Sequence, residues 1–412
     1  MTGRRRALVL AYFFPPLGGA GVQRTLKFVE YLAPLGWDAT VVSTRSRVYG
    51  ARDPSLLAEI PPETRVVRTA ALPLARYVGI LFYRLRLRRL RAWVVWPDGG
   101  LGWTPFALAA ALRLARRERP DVLVSTSAPY GAHLVALLVA RLTGMPWVAD
   151  FRDEWSTNPG LRDQPKALNA LAGRAERAIA KLAARVVVAA DYFDLEGLPA
   201  GSPRRLEILN GVDEADLTAA GPGSAPNGRF VLAHVGTIYG DQDPTPVLEA
   251  LARLAGRRAV DGDRLEVRLV GSIWDERFAP PSGVRVESLG YVPHREAVAE
   301  MVRATVLLLW VSSASLAPSG KLFEYLASGR PLLCVTRSDN LAARLVREWD
   351  AGVVADPDDG RAIEQAILTL WERWEADGLP DQIEVRAQTL QRYSRRAAAE
   401  RLAGVLDEAC RD

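Results

Sequence analysis

Among 412 residues the chain has only two cysteines, three histidines, three methionines and four lysines. Cys334 and Cys410 stand 76 positions apart with no CxxC spacing, which excludes a disulfide framework and a thiolate zinc site and fits a reduced, cytoplasmic setting. His133, His234 and His294 show no HExxH-like pairing, so no resident metal is expected. No run reaches the ~18 apolar residues that a spanning helix needs, so any membrane contact would be peripheral. Arg4-Arg5-Arg6 before the apolar run ALVLAYFF imitates a signal-peptide start. That run ends in Pro15-Pro16 and Gly18-Gly19 without a convincing cleavage site, and it reads equally well as a first buried strand.

What is present is the material for packed cores. Hydrophobic residues make up 49% and charged residues 25%, which excludes global disorder, and the length suits about two or three domains. The 53 basic and 48 acidic side chains nearly balance, but residues 1–200 hold 28 basic and 16 acidic ones and residues 201–412 hold 25 and 32. A split of that kind suggests that the two halves meet different partners.

Short apolar runs alternate with helical patterns, the signature of parallel sheets with crossover helices. In the first half the pattern predicts strands at 7–14, 39–43, 65–68, 121–125, 147–150 and 185–189, with helices at 22–35, 105–117, 131–142 and 166–184. A second series predicts strands at 230–235, 265–270, 284–288, 306–311 and 331–335, with helices at 246–255, 297–302 and 321–327. Between them, Thr218–Gly228 reads TAAGPGSAPNG, the composition of a loop or linker. The fold expected is α/β, two facing doubly wound Rossmann-like domains with parallel sheets and a ligand site at the carboxyl ends of the strands. The expected boundaries are 1–205 and 206–389, with a terminal helix at about 390–412 that packs back on the first domain.

Two strings carry phosphate-binding chemistry. Pro15-Pro16-Leu17-Gly18-Gly19-Ala20-Gly21 follows the first strand and precedes a helix, so its amides can approach an anion; an ordinary glycine turn explains it as well. A dinucleotide fingerprint fails there, because Arg24 stands where the third glycine belongs. The second string, PSGKLFEYLASGRP at 318–331, encodes one short helix, with Ser319 as N-cap and Gly329 as terminator. At ~100° per residue Leu322 and Leu326 define its buried face, while Lys321 and Glu324 project together on the other side. The amides of Ser319, Gly320 and Lys321 and the lysine charge suit a diphosphate, and Glu324 suits two ribose hydroxyls. The bland alternative is a solvated i,i+3 pair. Against it stands the scarcity of lysine, four against 49 arginines.

A third string, Leu209-Asn210-Gly211-Val212-Asp213, completes a set that, taken in order with the glycine loop and SGKLFEYLASGRP, resembles the family 4 glycosyltransferases, which have the GT-B fold. Val270-Gly271, Leu289-Gly290-Tyr291-Val292 and the string 351–357 resemble turns of that family. Ser127–His133 and Ala149–Trp155 resemble a bacterial branch acting on surface-polysaccharide or glycoconjugate precursors. The resemblance implies a retaining transfer from a nucleotide-diphosphate sugar, used as co-substrate, to a glycan, lipid-linked or small-molecule acceptor, with no obligatory metal and no nucleic acid. It implies donor contacts at Gly19, Gly21, Arg24, Gly236, Thr237, Gly271, Tyr291, Ser319, Gly320, Lys321, Leu322 and Glu324, and it places Asp153 and His133 beside the transferred sugar on the acceptor side. Lys321, Asp153 and His133 are the catalytic assignments.

The chain departs from the family in two places. Leu316 stands where the family often has a glutamate, and the loop Gly236–Asp243 lacks the usual cations, so diphosphate charge falls to Lys321, backbone amides and Arg24. Asp241-Gln242-Asp243 matches a DxD metal string, a pattern too short to outweigh its context. Finally Arg84, Arg86, Arg88, Arg89 and Arg91 interleave with Leu81, Phe82, Leu85, Leu87, Leu90, Trp93 and Trp96. Such a mixture suits a membrane or acceptor surface, the inner face of the plasma membrane being the anionic one at hand, and a solvated charge run is the alternative. Competing activities are a nucleotide-sugar epimerase of the same fold and a non-catalytic membrane-associated binding protein.

Overall fold

The computed structural model of the chain describes residues 3–45, 51–84, 92–94, 96–158, 161, 164–190, 192–221, 228–238, 243–273, 283–311 and 320–411. They form two compact units: Met1–Asn210 with Arg395–Asp412, and Gly211–Ser394.

In the first unit seven parallel strands take the order β3-β2-β1-β4-β5-β6-β7: β1 (Arg5–Leu10), β2 (Trp37–Thr44), β3 (Arg65–Thr69), β4 (Val122–Ser127), β5 (Trp147–Phe151), β6 (Arg185–Val188) and β7 (Arg205–Glu207). Strands β4 and β5 are buried along their whole length, as a parallel sheet covered by helices on both faces requires. The covering helices include α1 (Ala20–Leu32), α3 (Thr104–Glu118), α4 (Gly131–Thr143) and α5 (Lys166–Leu182), whereas α2 (Leu74–Arg84) packs on the short turn Leu101–Trp103. Gly19, at φ 87°, supplies the left-handed turn that swings the chain from β1 into α1, a conformation glycine adopts without steric cost. Helix α4 is capped from a distance: the Asp98 carboxylate accepts from the amides of Tyr130 and Gly131.

The second unit repeats the plan with six parallel strands, β10-β9-β8-β11-β12-β13: β8 (Phe230–Val235), β9 (Leu265–Val270), β10 (Arg285–Gly290), β11 (Val306–Trp310), β12 (Leu332–Val335) and β13 (Gly352–Ala355). Its helices are α6 (Glu214–Ala220), α7 (Thr245–Gly256), α8 (His294–Arg303), α9 (Gly320–Ser328), α10 (Leu341–Glu348), α11 (Gly360–Asp377) and α12 (Ile383–Tyr393). The terminal helix α13 (Arg395–Ala409) belongs to the first unit, where Ala399, Leu402, Val405 and Leu406 join the core that buries Val22, Leu26 and Val29 of α1. The expected linker string is partly helical, since α6 runs to Ala220; residues 222–227 lie outside the described ones.

Each sheet reverses strand order once, between β1 and β4 in the first unit and between β8 and β11 in the second. Open parallel sheets bind ligands at the carboxyl ends of the strands at such a reversal.

Candidate donor and acceptor sites

At the reversal of the second unit the turn after β8 meets the first residues of α9. Lys321, in the first turn of α9, donates from Nζ to the Thr237 carbonyl at 3.0 Å and lies 3.1 Å from His234 Nε2. The other ring nitrogen of His234, Nδ1, is 3.0 Å from the Leu308 carbonyl. A carbonyl only accepts, so Nδ1 carries the proton and Nε2 presents its lone pair to the lysine. The approach depends on Gly236, at φ +140°: a Cβ there would lie 2.1 Å from Lys321 Cε. Gly271, at φ +126°, backs that turn in the same way, since a Cβ on it would sit 2.5 Å from the Gly236 carbonyl oxygen. Tyr325 fixes α9 from below. Its buried hydroxyl accepts from the Val235 amide at 2.7 Å and donates to the Val235 carbonyl at 3.0 Å.

Burial dominates the electrostatics here. Desolvation pushes the Lys321 ammonium down to about 8, with Glu324 acting the other way, and it pushes the His234 imidazole down to about 3, helped by the charge of Lys321. At neutral pH the pair is thus one cation on one neutral acceptor. Glu324, one turn along α9, lines a pocket with Val212, Asp213, Asp216, His294 and Met301. There His294 Nε2 stands 3.0 Å from Asp216 Oδ2. Tyr291 is exposed in the turn after β10, whose Gly290 carbonyl accepts from the Gly271 amide at 2.7 Å. Leu322 buries its side chain completely, so only its backbone is available to a donor. Ser319 and Leu316 lie outside the described residues.

In the first unit Gly19 caps α1 at the end of the turn after β1, and Gly21 stands in the first turn of that helix. The Gly21 carbonyl accepts from Arg152 Nη1 at 2.5 Å, and the same guanidinium donates to the carbonyls of Ser127 and Ala128. Arg152 thereby ties the start of α1 to the end of β4, and the carboxyl of its neighbour Asp153 is pushed up by desolvation, with Arg152 acting the other way.

Two of the expected site residues turn their side chains into the first unit. Arg24 does not reach for phosphate: its Nη2 donates to Asp150 Oδ1 at 2.8 Å, its Nη1 is 3.2 Å from the Leu209 carbonyl and from Asn210 Oδ1, and its side chain is 6% exposed. A buried carboxylate matches its charge inside the unit. His133 is fully buried, 2.7 Å from Ser125 Oγ and packed on the Phe151 ring. Desolvation pushes it down to about 3. No solvent-accessible atom remains to touch a substrate, so it acts as a core residue. Sequence reasoning in turn missed His234, whose signal was a single polar residue inside FVLAHV directly before Gly236.

The basic segment is described only in part. Arg86, Arg88, Arg89 and Arg91 lie outside the described residues, whereas Arg84 is exposed at the end of α2. Leu74, Tyr77, Leu81 and Arg84 fall within ~80° of arc at ~100° per residue, and all four face solvent, Tyr77 at 66%. Trp93 is also exposed, while Trp96 stacks on buried Trp155 with centroids 5.9 Å apart. Among the described residues no helix is long and apolar enough to cross a membrane, and no group of three His, Cys, Asp or Glu residues could hold a metal ion. Asp241 and Gln242 lie outside that description.

Residues 18–205 match the family described as glycosyl transferase 4-like domain, and residues 229–373 match glycosyl transferases group 1. Most of the chain falls within these two matches. Solved structures agree in fold. Anabaena HepE in complex with UDP-glucose is 14% identical with a TM-score of 0.64, covering 98% of this chain and 99% of that one. Sucrose-phosphate synthase from Thermosynechococcus elongatus is 14% identical with a TM-score of 0.67, covering 97% and 98%. The lipopolysaccharide outer core galactosyltransferase WaaB is 12% identical with a TM-score of 0.55, covering 98% and 99%. None of the curated proteins matches the chain. Two parallel-sheet α/β units of this kind constitute the GT-B fold. A glycosyl transferase 4-like match in the first unit and a group 1 match in the second, on this fold, make the chain a nucleotide-sugar glycosyltransferase.

Proposed function

We propose that this glycosyltransferase moves a sugar from a nucleoside-diphosphate sugar to a glycan, lipid-linked or small-molecule acceptor, with retention at the anomeric carbon and without an obligatory metal. One observation carries the donor assignment. Lys321 is held as a cation at the N-terminus of α9, over a glycine turn and at the strand reversal where such folds bind ligands, with Glu324 one turn further on. As the glycosidic bond breaks, negative charge grows on the departing diphosphate, and a preorganised cation with helix amides stabilises it there. Glu324 takes the ribose hydroxyls, and Gly236, Thr237, Gly271, Tyr291 and Gly320 border the donor. In the first unit Gly19 and Gly21 serve the phosphates, and Asp153 serves the acceptor side. Because HepE was solved with UDP-glucose, a uridine donor is the first to try.

The acceptor face is basic. Residues 64–97 hold eight arginines and no acid, and α2 exposes an apolar stripe beside Arg84. That combination supports peripheral docking on an anionic leaflet, and with it a role in building surface polysaccharide or related glycoconjugates. The test is product analysis by mass spectrometry after incubation with UDP-, GDP-, ADP- and dTDP-sugars, with and without lipid-linked acceptors. Transfer to acceptor is expected. Conversion of donor alone to a new sugar nucleotide would replace transfer by epimerisation.

A further inference from the structure

We propose that His234 is a positioning residue for Lys321: its buried, neutral imidazole aims the ammonium at the donor phosphates without cancelling its charge. This rests on the donor reading above and names the device that makes Lys321 effective.

Three observations converge. The contact to the Leu308 carbonyl fixes the proton on Nδ1, so Nε2 is an obligatory acceptor. That acceptor and the Thr237 carbonyl, both neutral, hold Nζ at 3.1 and 3.0 Å. Gly236 leaves room for the lysine stem to lie against the turn, where a Cβ would stand 2.1 Å from Cε. A carboxylate in place of the imidazole would bind the ammonium more tightly but would neutralise it before any phosphate arrived. A carbonyl and an imidazole supply direction and add no negative charge of their own. The imidazole must not protonate, since a second cation would repel the first, and its full burial secures that. Titratable groups that bear on Lys321 include His234, from β8, and Glu324, from its own helix.

The experiment compares His234→Asn with His234→Gln in a steady-state transfer assay from pH 6 to 10. Asparagine keeps a donor near the Nδ1 position and loses the acceptor at Nε2, whereas glutamine restores an acceptor there. With His234→Asn, donor KM should rise about 10-fold and the alkaline limb of kcat/KM should move upward from about 8 as water reaches the lysine. With His234→Gln, most of the loss should be recovered and the limb should return toward 8. A His234 that only fills space would lower thermal stability in both variants and leave the limb where it is, and that result overturns the proposal. If His234→Asn does not fold, His234→Gln decides alone: loss of more than about 10-fold in kcat/KM refutes it. Lys321→Ala, run alongside, separates the two readings. No effect there removes the donor assignment itself, whereas a large effect with silent His234 variants removes only this inference.

Discussion

Replacing Lys321 by alanine should slow transfer about 10- to 100-fold with the fold intact. A unit charge 4 Å from a phosphate charge is worth about 4 kcal/mol at an effective dielectric of 20. Water entering the space left by the side chain and the amides at the start of α9 would recover part of that. What remains, ~1.4 to 2.7 kcal/mol, is the 10- to 100-fold expected in turnover. Lys321 donates to a carbonyl and lies against a neutral imidazole, and burial disfavours its charge, so its removal should change stability little. The pH profile adds a sign. The ammonium sits near 8 because burial disfavours its charge, so the lysine contribution is present below pH 8 and fades as pH rises through it. The assay is steady-state kcat and KM for donor at pH 7 and pH 9, with Tm as the folding control. Turnover within twofold of wild type at pH 7, with unchanged Tm, would refute the assignment.

Gly236→Ala should act through the same lysine: it forces a side chain onto φ +140° and into Lys321 Cε, costing ~1 to 3 kcal/mol of stability by thermal melt and at least ~10-fold in kcat/KM. Asp150→Asn should cost ~3 to 5 kcal/mol in urea titration, because it leaves the buried Arg24 charge uncompensated. Burial alone would raise the Asp150 carboxyl, but the charge and hydrogen bonds of Arg24, with Thr126 and Arg152, hold it below the usual carboxylate range. Its contribution is therefore present above about pH 4 and lost as pH falls below that, a sensitivity that the asparagine variant should lack. Arg84→Glu should weaken co-sedimentation with phosphatidylserine vesicles by about 10-fold or more, since each arginine near an anionic surface contributes ~1 kcal/mol and reversal doubles the change. Binding to neutral vesicles should be near zero for both proteins.

Much of the fold was legible because strands buried on both faces are apolar nearly throughout. FVLAHV and VLLLW admit no other placement, and the short helix in SGKLFEYLASGRP announces its own end at Gly329. The bounds of helix α2 were not legible because it exposes Leu74, Tyr77 and Leu81, against the polar-outside pattern by which surface helices are recognised. Helices α10 and α11 carry ordinary caps, Asn340 on the Ala342 amide and Asp359 on the Arg361 and Ala362 amides, and those two residues are the signals of their starts in the sequence. The site was legible only where its parts are close in sequence. Lys321 and Glu324 share a helix, but the Lys321 to His234 contact spans 87 positions and the Arg24 to Asp150 pair spans 126. No local pattern encodes such distances. The same limit hid the burial of Arg24 and His133, whose types suit chemistry but whose side chains the folded unit turns inward.

The central claim, that the second unit binds a nucleoside diphosphate at the start of α9, is most directly tested by thermal melts of wild type and Lys321→Ala with UDP, GDP, ADP and dTDP. At 100 times its dissociation constant one of them should stabilise the wild type by ~2.7 kcal/mol, with a clearly smaller shift for the variant. No stabilisation of the wild type by any of the four at millimolar concentration, or equal stabilisation of both proteins, would contradict it.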